Sequence, residues 1–201
     1  MSLYLYVDRV PPLDNMAANP VEGTLQHPKV TMEDAVKIFL WNIKLGKTKS
    51  LFHFRQQVQA EARGSLKRHN YQGTYRRLSI LLHFDPEDRK IQAQMDRCLL
   101  KIIMEKHHRN DGFVAMQMFQ FLSVEFRETV SAQRMYGEII YRLPNGRFSE
   151  KKKMTDHQIQ GLNAISRAME IEFHQNNMTE TPVYHDLVQD FCVLMSTAMF
   201  L

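Results

Sequence analysis

TYRRLSILLHF, residues 74–84, is the stretch whose reading decides the fold. Leu78, Ile80, Leu82 and Phe84 alternate with Tyr75, Arg77, Ser79 and His83. Side chains that repeat every two residues point to opposite faces of an extended chain, so the alternation predicts a half-buried strand. Directly behind it, Asp85 is positioned to cap a helix with Pro86 as its first residue. Ile91, Met95, Cys98, Leu99, Ile102 and Ile103 form that helix's inward stripe, and Asn110-Asp111-Gly112 ends it.

Further along, FVAMQMFQFLSVEF (113–126) also alternates and reads as strand, with a buried helix as the alternative at that length. GEIIYRLPNGRFSE (137–150) carries Asn145-Gly146, a pair that tolerates the positive φ of a tight turn, and predicts a hairpin. Thr155 and Gln158 form a capping box ahead of Ile159, Leu162 and Ile165. Met169, Ile171 and Phe173 alternate with Glu170 and Glu172, again as a strand would. A last helix opens with Thr181 and Pro182 and is expected to bury Leu187, Val188, Phe191, Cys192 and Met195.

Toward the N-terminus, Thr31 caps a helix with Glu33 and Asp34 in its first turn, Val36, Phe39, Leu40 and Ile43 at helical spacing, and Gly46 as its stop. Leu51, Phe54, Val58 and Ala62 suggest a second, basic helix running toward Gly64. Strands and helices interspersed without a repeating βαβ unit predict an α+β fold. The expected organisation is a single compact domain over 31–201 behind an extended arm, 1–30, that Pro11, Pro12, Pro20 and Pro28 punctuate.

A chain of 201 residues with 44% hydrophobic and 24% charged residues fits one domain with its own core. Cys98 and Cys192 are far apart in apolar contexts, which matches neither a disulfide framework nor a metal knuckle and predicts a reducing compartment. MSLYLYVDRV has no basic region ahead of its apolar residues, and no run approaches 18 apolar residues. The expected location is therefore the cytoplasm, outside the secretory path, with Asn177-Met178-Thr179 unglycosylated.

Charge is distributed unevenly. Residues 44–77 hold nine lysines and arginines against Glu61, a net of +8, while residues 155–201 hold six acids against Arg167, a net of −5. The polarity suggests a basic region facing an anionic partner and an acidic region that meets either a neighbouring copy or the basic half of its own chain. Arg63, Lys67, Arg68, Arg76 and Arg77 supply cations, and Tyr71 and Tyr75 supply rings for stacking on unpaired bases or for insertion among lipid headgroups. Arg147, Lys151, Lys152 and Lys153 form a second basic turn that is a candidate for the same surface. A basic loop serving only as a solvated connection is the plain alternative.

Catalytic motifs are scarce: the chain has no Gly-rich phosphate loop, HExxH or GxSxG. Asp85, Asp88 and Lys90 have the residue types of a metal-dependent nuclease, but a helix start explains them equally. His107 and His108 point to different sides of a helix and fit a role at its C-terminal dipole better than metal binding. No catalytic residue, metal or cofactor is assigned, and no small-molecule substrate is expected. Leu3, Leu5 and Val7, alternating at the tip of the arm, are candidates for adding a strand to another copy and so for homo-oligomer formation; folding back onto their own domain is the alternative.

YRRLSILLHFDPEDRKIQAQM (75–95), YGEIIYRLPNGRFSEKKK (136–153) and MEIEFHQNNMTETPVYHDLVQDF (169–191) together resemble the matrix proteins of rhabdoviruses in their order of elements, as do chain length and basic pI. The resemblance implies a non-enzymatic structural protein that self-associates, condenses a ribonucleoprotein and apposes it to an anionic membrane. Pro11-Pro12-Leu13-Asp14 departs from the PPxY motif of many members, and Arg9 stands where a lysine-rich arm would be. A soluble RNA-binding regulator, such as a viral antagonist of host defence, is the alternative reading, and a metal-dependent nuclease follows it.

Overall fold

The computed structural model describes residues 29–143 and 155–200. Among them every regular element is a helix: α1 (Met32–Lys44), α2 (Leu51–Lys67), α3 (Tyr71–Phe84), α4 (Arg89–His108), α5 (Gly112–Phe119), α6 (Val124–Arg127), α7 (Val130–Arg142), α8 (Asp156–Gln175) and α9 (Pro182–Phe200). The class is all-α, and the α+β expectation is overturned.

Each predicted strand within the described residues fails for a local reason. Residues 74–84 belong to α3, which buries Thr74, Tyr75, Leu78, Ser79, Ile80 and Leu81. A helix enclosed on most of its circumference loses the clean polar face that marks helical periodicity, and the short alternation in TYRRLSILLHF is what remains. The helix is started by Asn70, whose side chain accepts the Gly73 N–H at 2.8 Å. Gly73 permits this fold-back, because a Cβ there would lie 2.8 Å from the Asn70 amide nitrogen. Residues 113–126 form α5 and α6, separated by a turn at 120–123. Residues 137–142 of the expected hairpin are the end of α7, and Asn145-Gly146 lie outside the described residues. Met169, Ile171 and Phe173 continue α8, where Leu162, Ile165 and Met169 share a packed cluster with Phe191 and Leu194 of α9.

The chain divides into two compact units, Met1–Ile102 and Ile103–Leu201. In the first, α2 and α3 form a helical hairpin joined by Arg68, His69 and Asn70, with His69 in the left-handed region at φ 57. Phe39, Phe54 and Phe84 meet in a ring cluster with centroids 5.1–6.0 Å apart. The chain entering α1 is tied to α3 twice: Val30 N–H donates to Ser79 Oγ at 3.1 Å, and His83 Nε2 donates to the Val30 carbonyl at 2.6 Å. The predicted stripe of α4 is buried at Ile91, Met95, Cys98, Leu99, Ile102 and Ile103.

In the second unit, α7 and α8 pack antiparallel at a pair of glycines. A Cβ on Gly137 would lie 2.8 Å from the Gly161 carbonyl, and one on Gly161 would lie 2.8 Å from the Gly137 carbonyl. The capping box of Thr155 and Gln158 is formed as predicted. Thr181 caps α9 by accepting the Tyr184 N–H. Tyr141 Oη donates to the Leu194 carbonyl, fastening α9 to the hairpin. Leu187 and Leu194 are buried, whereas Cys192, expected inside, is exposed.

Candidate polyanion-binding surface

The α2–α3 hairpin sorts the basic stretch into cations held in place and cations presented to solvent. Packing of Phe54, Val58, Ala62 and Ser65 fixes the inner face of α2. Arg63 and Lys67, one helical turn apart, therefore lie outside it, followed by Arg68 at the C-cap, and all three are exposed. Arg77 instead reaches back across the hairpin to Glu61 at 3.4 Å and to the Gly73 carbonyl at 3.2 Å, with its side chain only 12% exposed. At the far end of the hairpin, Arg55 holds Asp85 at 2.7 Å. Arg76 is half-buried.

The two predicted rings separate as well. Tyr71 stays at the surface, half-buried, with its hydroxyl 3.2 Å from His69 Nδ1. Tyr75 is 1% exposed, so its assignment to the binding surface is corrected: it is a core residue. Burial, with a smaller contribution from Asp96, holds its hydroxyl far above the usual phenol range, and among the described residues that hydroxyl has no hydrogen-bond partner. A period-two reading puts residue 75 opposite Leu78; in a helix the two are three apart and share the inner face.

Arg147, Lys151, Lys152 and Lys153, and the arm residues Leu3, Leu5 and Val7, lie outside the described residues. Lys47 and Lys49, which carry charge outside the predicted surface, sit just before α2 and are exposed. Seventeen residues of α2 separate them from Arg68, about 25 Å of helix. No acid occurs between Asp34 and Glu61, and that gap is the sequence signal that marks this second basic end.

Asp85 and Asp88 have structural occupations. Asp85 pairs with Arg55, and it is Asp88, not Asp85, that starts α4 by accepting the N–H groups of Lys90 at 2.9 Å and Ile91 at 3.1 Å. Among the described residues no group of three His, Cys, Asp or Glu side chains is placed to hold a metal ion. His107 is buried and held below the ordinary imidazole value by burial, then by the charges of Arg142 and His108. Burial pushes the Cys98 thiol up to about 11, away from reactivity at neutral pH.

Elsewhere, an open polar groove of about 450 Å³ between α7 and α8 is lined by Gln133, Tyr136, Gln160, Asn163, Arg167 and Glu170. Its arginine is already engaged by Glu128. Two acids of the C-terminal region are also committed within their own unit: Asp190 pairs with Arg134 at 2.7 Å, and Glu172 accepts from Thr181 at 2.6 Å. Among the described residues no helix is long and apolar enough to cross a membrane. No protein-family model matches the chain, and comparison with curated proteins and with solved structures finds no match.

Proposed function

We propose that this is a non-enzymatic structural protein that binds RNA through the phosphate backbone at the end of the α2–α3 hairpin. The observation that carries the reading is the exposure of Arg63, Lys67 and Arg68 together, while Glu61, the nearest acid, is occupied by Arg77. No other acid lies between residues 62 and 84. Cations set one turn apart on a helix match successive phosphates, and releasing condensed counterions drives the association. With Tyr75 in the core, Tyr71 is the one ring of the predicted pair left for stacking, so binding rests on charge and reads little sequence. The structural duties of Asp85 and Asp88 favour a binding role over a nuclease.

The test is the binding of a fluorescent single-stranded RNA across a salt series. Replacing Arg63, Lys67 and Arg68 with glutamine should weaken binding and flatten the log–log salt dependence by about 0.7 for each phosphate that is no longer neutralised. An unchanged affinity and slope in the folded variant removes the reading. Sedimentation of the mixture distinguishes large assemblies, expected here, from the discrete soluble complex of a regulator. Magnesium-dependent cleavage abolished by Asp88→Ala would replace both with an enzyme.

A further inference from the structure

Helix α1 is apolar on two sides. Its inner side buries Ala35 and Ile38 and sets Phe39 against Phe54 and Phe84. Its outer side carries Met32, Val36, Leu40 and Ile43, spaced four, four and three residues apart and so aligned on one stripe. Leu40 is 53% exposed and Met32 and Ile43 nearly as much. The apolar surface continues into Leu45, Leu51 and Phe52, all exposed, around the start of α2. A folded chain gains nothing from a contiguous apolar stripe left in water, and such patches mark contact surfaces.

We propose that this face of α1 pairs with α1 of a second copy, antiparallel about a two-fold axis. The charges on the helix choose both occupant and direction. Glu33 and Asp34 stand in the first turn and Lys44 in the last. Glu33 and Lys44 are eleven residues apart, close to three whole turns, and therefore occupy the same flank of the stripe. In an antiparallel pair like flanks face each other, so Glu33 of each copy meets Lys44 of the other, once on each side of the axis. A parallel pair would put the Glu33–Lys44 flanks of the two copies on opposite sides of the interface, where these charges find no partner in each other. An anionic bilayer lying along the stripe would meet Glu33 and Asp34 at one end.

Glu33 already touches Lys37 within its helix at 2.8 Å, yet it remains 78% exposed. Exposed pairs one turn apart contribute little, so that contact yields readily to an intermolecular one. Stable interfaces engage roughly 20–30 residues a side, and this stripe with its three neighbouring side chains offers far fewer. The dimer is consequently reversible and depends on protein concentration.

Sedimentation equilibrium of the full chain over a concentration series tests the pairing. Wild type should show a monomer–dimer equilibrium that Leu40→Glu weakens at least about tenfold, as expected on removing an interfacial anchor. Glu33→Lys and Lys44→Glu should each weaken it, and the two combined in one chain should restore it, because the two-fold axis brings the exchanged charges together again. Circular dichroism checks that each variant is folded, which the exposure of all three positions favours. Failure of the double variant to recover, or a dimer indifferent to Leu40→Glu, overturns the proposal. So does a wild-type monomer that dimerises only after residues 1–28 are removed, which would make the chain's own arm the occupant. Leu40-dependent sedimentation of monomers with anionic vesicles would overturn it in favour of a membrane.

Discussion

The two helical hairpins of this protein are held together in opposite ways. In α7–α8 the backbones touch: Gly137 and Gly161 have no side chain between them, and each carbonyl fills the space where the other's Cβ would stand. In α2–α3 the inner faces meet through buried side chains, Phe54, Val58 and Ala62 on α2 and Thr74, Tyr75 and Leu78 on α3, and two ion pairs clasp the helices, Arg55 with Asp85 and Arg77 with Glu61. The first arrangement gains contact area through dispersion over a close approach and has no slack. The second adds partly exposed ion pairs that solvent screens, with Arg77 the most enclosed of their four members, and it leaves the outer face of α2 free to vary. The candidate surface for a polyanion lies on the tolerant hairpin, where cations can be added without disturbing what holds the helices together.

The largest expected effect comes from making one substitution in both hairpins. Gly137→Ala and Gly161→Ala should each cost about 1–3 kcal/mol of stability through overpacking, measured by chemical denaturation. Gly64→Ala on α2, whose added methyl would have no neighbour nearer than 3.9 Å, should gain about 0.5–1 kcal/mol from helix propensity. If both hairpins respond with the same sign, the contrast between them is wrong.

A smaller effect separates the two kinds of arginine. Arg77→Gln should lower stability by roughly 0.5–1 kcal/mol, the range of a partly exposed ion pair, while leaving the salt dependence of RNA binding unchanged. The Arg63, Lys67 and Arg68 variant should do the reverse. A collapse of RNA binding on Arg77→Gln at unchanged stability would move that arginine to the binding surface.

The smallest effect belongs to the second unit alone and appears with acid. His107 is held below its ordinary value of 6.5, first by burial and then by Arg142 and His108, so the folded unit prefers its neutral form. Above 6.5 the imidazole is neutral in folded and unfolded chains alike, and its contribution is fully present. As pH falls through 6.5 the unfolded chain takes up the proton first, and stability is lost until the folded-state value is reached. Thermal melts of wild type should therefore fall off more steeply below about pH 6.5 than those of His107→Gln. Parallel curves would show that other groups set the acid limit.

Three helix starts were legible because each is a local statement, whereas that of α4, expected at Asp85, lies at Asp88. Thr31, Thr155 and Thr181 all cap as their spacing requires, and the Thr155–Gln158 box forms in full. The stripe of α4 was legible for the same reason that amphipathic helices usually are: one side of it meets a core, and Ile91 through Ile103 recur at that spacing. What misled in α3 was enclosure. The alternation at 78–84 is satisfied by chance where α3 is enclosed around most of its girth, and the cap that would have corrected it, Asn70 above Gly73, is an uncommon combination. At 169–173, where none of the five residues is buried, the alternation is too short to tell a strand from the end of a helix. The charge of the candidate surface was visible in the sequence, but its division was not. Which arginine bridges to Glu61 and which faces water depends on the hairpin's register, a long-range property that neither Arg76 nor Arg77 announces.

The three-residue turn from Arg68 to Asn70 also bears on how the first unit comes into being. It brings α2 against α3 with almost no chain to close, so this hairpin can assemble on the time scale of local helix growth, and the left-handed φ of His69 is what so short a connection demands. Helix α1 has a longer route. Its docking waits for Val30 to find Ser79 and His83, partners 49 and 53 residues away that exist as a pair only once α3 is wound. The helix that offers an outer apolar stripe is thus expected to join its unit last, and only then is that stripe held in the fixed orientation that a second molecule could match.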